Sequence, residues 1–128
     1  MQRGRWVLEN LIDMVMQRRN LCEEMLAVST RQAELASGQE YDDELLRLYG
    51  QMLIYRGSLV QEINRLNEML DECHSKGGVD EDAGRIESIE GETLDILRKI
   101  QKQDLNTIKT LAETRGKIGQ KIKAYQVE

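Results

Sequence analysis

Proline is absent from all 128 residues, and that absence constrains the fold more than any other single feature. Proline is the residue that most sharply stops a helix. Without it, apolar residues here recur at three- and four-residue steps through three long stretches, the helical signature. Only two short stretches break the pattern, Ser37-Gly38-Gln39-Glu40-Tyr41 and Ser75-Lys76-Gly77-Gly78. Both carry the small and polar residues of turns. With no phenylalanine, one tryptophan and four tyrosines, the chain also lacks the side chains that favour a sheet. The expected fold is all-α: an elongated antiparallel bundle of three long helices, about residues 3–37, 42–74 and 82–126, in one domain covering 1–128.

The first segment places Leu8, Leu11, Ile12, Val15, Cys22, Met25, Leu26, Ala33 and Ala36 on a helical stripe, and Gly38 is positioned as its C-cap. The second opens with Asp42, Asp43 and Glu44, which suit the positive end of the helix dipole. Its seam is Leu45, Tyr49, Met52, Arg56, Leu59, Ile63, Leu66, Leu70 and Cys73, with Arg56 the one charged member. Gly50 and Gly57 either admit a close helix neighbour or sit on tolerated surface. In the third segment, Asp80 or Asp82 can cap the helix start. Its expected stripe is Ile86, Ile89, Thr93, Leu97, Ile100, Asp104, Ile108, Leu111, Arg115, Ile118, Ile122 and Tyr125. A lone carboxylate such as Asp104 within a stripe must be exposed, paired or hydrogen-bonded. Helices of this length span roughly 50 to 65 Å. A first turn centred near residue 39 puts Cys22 opposite residue 56 or so, far from Cys73, so the two cysteines are expected as separate thiols. By the same arithmetic the stretch 119–128 overhangs the first hairpin or bends.

Composition argues against several functions. A net charge of −5 opposes general nucleic-acid binding. No apolar run is long enough for membrane insertion or a leader, which gives a cytoplasmic expectation. Phosphate loops, nucleophile elbows and Ser/His/Asp arrangements are missing, so no catalytic residues and no enzyme activity are expected. One histidine excludes a Glu-x-x-His di-iron site. Asp71, Cys73 and His74 form the only ligand-like group, and a solvated helix end is the plainer reading of it. No metal or cofactor is expected.

Binding by helix faces remains. The first helix begins with Trp6, Val7, Leu8, Leu11, Ile12, Met14, Val15 and Met16, more apolar surface than one seam needs. That surplus serves a wide core, a homodimer contact or a groove for another chain's helix. Five internal methionines (Met14, Met16, Met25, Met52 and Met69) would give such a groove an adaptable lining. Leu11, Met14 and Val15 are the partner-binding candidates at this end. Charge is uneven too. The stretch 68–95 holds ten acidic and two basic residues, whereas 98–123 holds eight basic and two acidic.

Leu8-Glu9-Asn10-Leu11-Ile12 through Arg56, Leu59, Ile63, Leu66 and Leu70, joined by the Gly38 turn, resembles the flagellar export chaperones of the FliT and FlgN type. Ile100-Gln101-Lys102-Gln103-Asp104-Leu105-Asn106 is similar to their mid-helix Asp with a nearby Asn. Arg115-Gly116-Lys117 through Ala124-Tyr125 is similar to their basic, glycine-containing end. Gly84 and Gly91 depart from that pattern. The resemblance implies a cytoplasmic chaperone that holds an amphipathic helix of a late export substrate, the filament cap or a hook–filament junction protein, and delivers it to a component of the export apparatus. Under that reading Ile118, Ile122 and Tyr125 gate the groove, and Lys117, Lys121 and Lys123 make electrostatic contacts. The alternative is a dimeric coiled-coil adaptor, structural or regulatory, that carries no cargo.

Overall fold

The computed structural model describes the backbone of residues 2–38, 41–75 and 83–127, and the side chains of 11–38, 41–73 and 83–116. The described residues form three helices: α1 (Gln2–Ala36), α2 (Asp43–Ser75) and α3 (Ala83–Val127). Asp42 caps α2, its Oδ1 accepting from the Leu45 backbone N–H at 2.8 Å. Past the end of α1, the Gly38 N–H donates to the Leu35 carbonyl at 3.2 Å, and a Cβ at Gly38 would lie only 3.2 Å from that same oxygen. Glycine is therefore the residue that closes this turn without displacement. The expected caps Asp80 and Asp82, and the second turn itself, lie outside the described residues.

Side-chain pairings give the directions. Arg18 meets Asn67 and Gln32 meets Arg56, so α2 runs antiparallel to α1. Arg18 also meets Glu90, and Thr30 meets Gln103, so α3 runs parallel to α1. α1 packs along both partners, while the backbones of α2 and α3 approach each other only weakly. The bundle is a corner with α1 at its vertex. At this register α3 continues past the level of Ala36 for roughly 25 Å of helix. Side chains of that extension are described as far as residue 116.

The interior changes character along its length. One cluster joins Leu11, Ile12, Met14 and Val15 of α1 to Leu66 and Leu70 of α2 and to Ile86 and Ile89 of α3. The next joins Cys22 and Met25 to Leu59, Ile96 and Ile100. Beyond it three buried positions are polar, Ser29, Gln32 and Thr107, before Ala36 closes the row. Thr93 and Thr107 satisfy their hydroxyls on the carbonyls of Ile89 and Gln103, both at 3.0 Å, which is how a threonine sits inside a helix at little penalty.

Two expectations are corrected. Leu97 and Ile108 are not core: they are 41% and 63% exposed, and Ile96 and Thr107 take the inward positions. Both choices satisfy three- and four-residue steps, and the tilt of α3 on α1 decides between them. Cys22 does not lie opposite residue 56. It lines a recess with Ile63, while Arg56 reaches Gln32 further along α1. Of the two readings of Gly50 and Gly57, tolerated surface holds within the protomer: nothing lies within 4 Å of a Cβ placed at either.

Cys22 is 1% exposed in the second cluster, and Cys73 packs against the first. Burial pushes the Cys22 thiol up, against the pull of Arg18. In the native protein a maleimide at pH 8 should therefore modify Cys73 and spare Cys22 until denaturant is added, as peptide mass spectrometry would show.

Candidate helix-docking groove

Because α2 and α3 both rest on α1 and barely on each other, a furrow runs between them. Its floor at mid-length is a polar cluster. Asp104 of α3 and Arg56 of α2, each the odd residue in its own stripe, are held to the same level by the packing. Arg56 Nη1 and Nη2 donate to Asp104 Oδ1 and Oδ2 at 2.9 and 2.8 Å, a bidentate pair. Nη1 also donates to Gln32 Oε1 at 2.8 Å, and Ser29 Oγ donates to Asp104 Oδ1 at 2.8 Å. The hydrogen bonds from Arg56 hold the Asp104 carboxyl below the ordinary carboxylate range, outweighing partial burial. Gln32 Nε2 is buried without a partner, so the α1 side of the cluster is the less completely satisfied side.

Toward one end the furrow deepens into a recess of about 270 Å³, open to solvent. It is lined by Arg18 and Cys22 beneath, Ile63 and Asn67 on α2, and Glu90, Thr93, Leu94 and Leu97 on α3. Small-molecule clefts usually enclose roughly 300–1,000 Å³ and most of the ligand. An open notch of this size suits a single side chain of a larger partner.

The walls are apolar. On α3, Leu94, Leu97, Leu105 and Ile108 are 54%, 41%, 61% and 63% exposed. Steps of three and four residues through Gln101 put them on one edge. On α2, Leu46, Leu53 and Val60 repeat every seven residues and are 55%, 52% and 43% exposed. Helical phase sets them beside Arg56, which bonds Asp104 of α3, and beside Ile63 and Asn67, which line the recess. Each wall is a second stripe adjoining the core stripe. Contiguous apolar surface of this kind marks interaction sites, and the geometry is that of a four-helix bundle with one corner vacant.

The candidate residues named from sequence fall elsewhere. Leu11, Met14 and Val15 are 8%, 9% and 0% exposed, inside the first cluster. A partner reaches them only by opening the bundle, so the surplus apolarity at those three positions makes core. Ile118, Ile122, Tyr125, Lys117, Lys121 and Lys123 lie on the continuing α3 helix, with side chains outside the described residues, as is that of His74. The groove residues Leu46, Leu53, Val60, Leu94 and Leu105 were not singled out from sequence. Their signal was present: Leu46, Leu53 and Val60 each follow the seam residues Leu45, Met52 and Leu59 by one position.

Among the described residues, no group of three or more His, Cys, Asp or Glu side chains is placed to hold a metal ion, and no helix is long and apolar enough to cross a membrane. Comparison with known proteins gave no match: no family model fits the chain, and no curated protein or solved structure matches it.

Proposed function

We propose that this chain is a helix-binding chaperone, of the kind its sequence resembles among the flagellar export chaperones. The observation that carries the reading is the furrow between α2 and α3, walled on both sides by exposed leucine, isoleucine and valine. A fourth helix laid there completes a bundle and covers both walls, which is the helix-in-groove mode of recognition. The cargo is an amphipathic helix of a late export substrate, a filament-cap or hook–filament junction protein, shielded until it passes to the export apparatus. The polar cluster of Arg56 and Asp104 gives the groove a fixed mid-point against which a polar residue of the cargo can register.

The test is co-expression with such a cap or junction protein, followed by size exclusion with light scattering. A one-to-one complex is expected, lost on Leu94→Glu with Leu105→Glu while helicity and melting temperature are retained. Failure of every such substrate to bind would overturn the chaperone reading. A stable dimer that takes no cargo would favour a coiled-coil adaptor instead.

A further inference from the structure

The two walls of the groove do not stay apolar along their length. Following the exposed edge of α3 by steps of three and four residues, the stripe begins with Glu87 and Glu90, passes through Leu94 to Ile108, and ends at Arg115. On α2 the edge that carries Val60 reaches Asp71 at the level of the Glu87 end, because the two helices run in opposite senses. One mouth of the furrow is therefore carboxylate from both walls, whereas at the other Arg115 of α3 is set against the acidic start of α2, Asp42 and Asp43, brought to this level by the Tyr41–Thr114 contact. Arg18 neutralises part of the first mouth, bonding Glu90 at 3.0 Å from beneath. Glu87 and Asp71 are exposed, and no ion pair to either is found among the described side chains.

Resting on the groove reading above, we infer that the furrow selects a helix with one basic end: lysine or arginine lying against Asp71 and Glu87, an apolar seam through the middle, and an uncharged end at the mixed mouth of Arg115, Asp42 and Asp43. Glu87 to Arg115 covers about 42 Å of helix axis, so the matching partner is about four heptads long. The apolar middle supplies affinity, and the basic end supplies orientation and choice of partner, since exposed charge pairs contribute modestly each and are screened by salt.

The probes are three fluorescent 28-residue peptides sharing one leucine seam. The first has glutamines in its first turn and lysines in its last, the second has glutamine at both ends, and the third has glutamines in its first turn and glutamates in its last. Binding to the full chain is read by anisotropy at low salt. The first peptide should bind about fivefold more tightly than the second, as expected of about two exposed pairs, and the third more weakly still. In 1 M salt, where the screening length is about 3 Å, the order should collapse. Asp71→Lys with Glu87→Lys should make the third peptide the better ligand, a reversal that a merely destabilised variant would not give. Equal binding by all three would overturn the charge rule and leave the apolar groove standing. Binding by none, or a protein dimer that excludes all three, would overturn both.

Discussion

Leu66→Ala lowers the unfolding free energy by about 2–5 kcal/mol, the largest loss expected from a single truncation in this chain. Leu66 is 1% exposed and is shared by residues of all three helices in the first cluster. Removing three methylene-scale groups there forfeits their transfer free energy and leaves a cavity between rods that cannot easily collapse. A protein of ordinary stability, about 5–15 kcal/mol, would be left marginal, with urea denaturation showing a lower midpoint at unchanged slope. The informative partner is Leu105→Ala. Leu105 is 61% exposed, so its truncation should stay within about 0.5 kcal/mol of the parent. Equal losses at the two sites would mean that α3 is rotated on α1 and the groove wall is in fact core.

Asp104→Ala is the second large effect, about 1.5–3 kcal/mol. It strands the Arg56 guanidinium and the Ser29 hydroxyl, both of which donate to this carboxylate. Arg56→Met should cost a similar amount, and the double variant Arg56→Met with Asp104→Leu should recover most of it, because two apolar side chains leave no uncompensated charge. That non-additivity is the signature of the pair. Acidity gives an independent reading. The Asp104 carboxyl is held below its ordinary value, so its contribution is complete above the unfolded carboxylate pKa of about 4 and is lost as pH falls below it. Urea midpoints between pH 5 and pH 3 should therefore fall less steeply in Asp104→Asn than in the parent. Parallel slopes would remove Asp104 from the acid response.

The three helices were legible because nothing in the sequence competes with them. Each observed boundary lies one residue from its expected position, and glycine-marked turns set the limits. The seam of α2 was legible for the same reason: Leu59, Leu66 and Leu70 are its buried members. α3 was read less well. Ile96 and Leu97 are adjacent and both apolar, so spacing alone leaves the inward face undecided by one position, and only contact with α1 selects Ile96. The groove was illegible for a related reason. Two apolar stripes lying side by side on one helix look like a single broad one, and the broad reading sent the partner candidates to Leu11, Met14 and Val15. Arg56 and Asp104 each stood out as anomalies, but no local rule links residues 48 apart. Their pairing is a product of the helix register.

The parallel pairing of α1 with α3 also bears on how the molecule is made. Bonds such as Ser29 to Asp104 and Gln103 to Thr30 join positions 75 and 73 apart, an unusually distant match for a helical protein. The ribosome releases α1 well before its main companion, α3. α1 and α2 must therefore wait as a half-dressed hairpin, greasy on the side that α3 will cover, until α3 emerges. Premature termination anywhere before α3 would release a sticky fragment, and slow translation through the second half would lengthen its exposure.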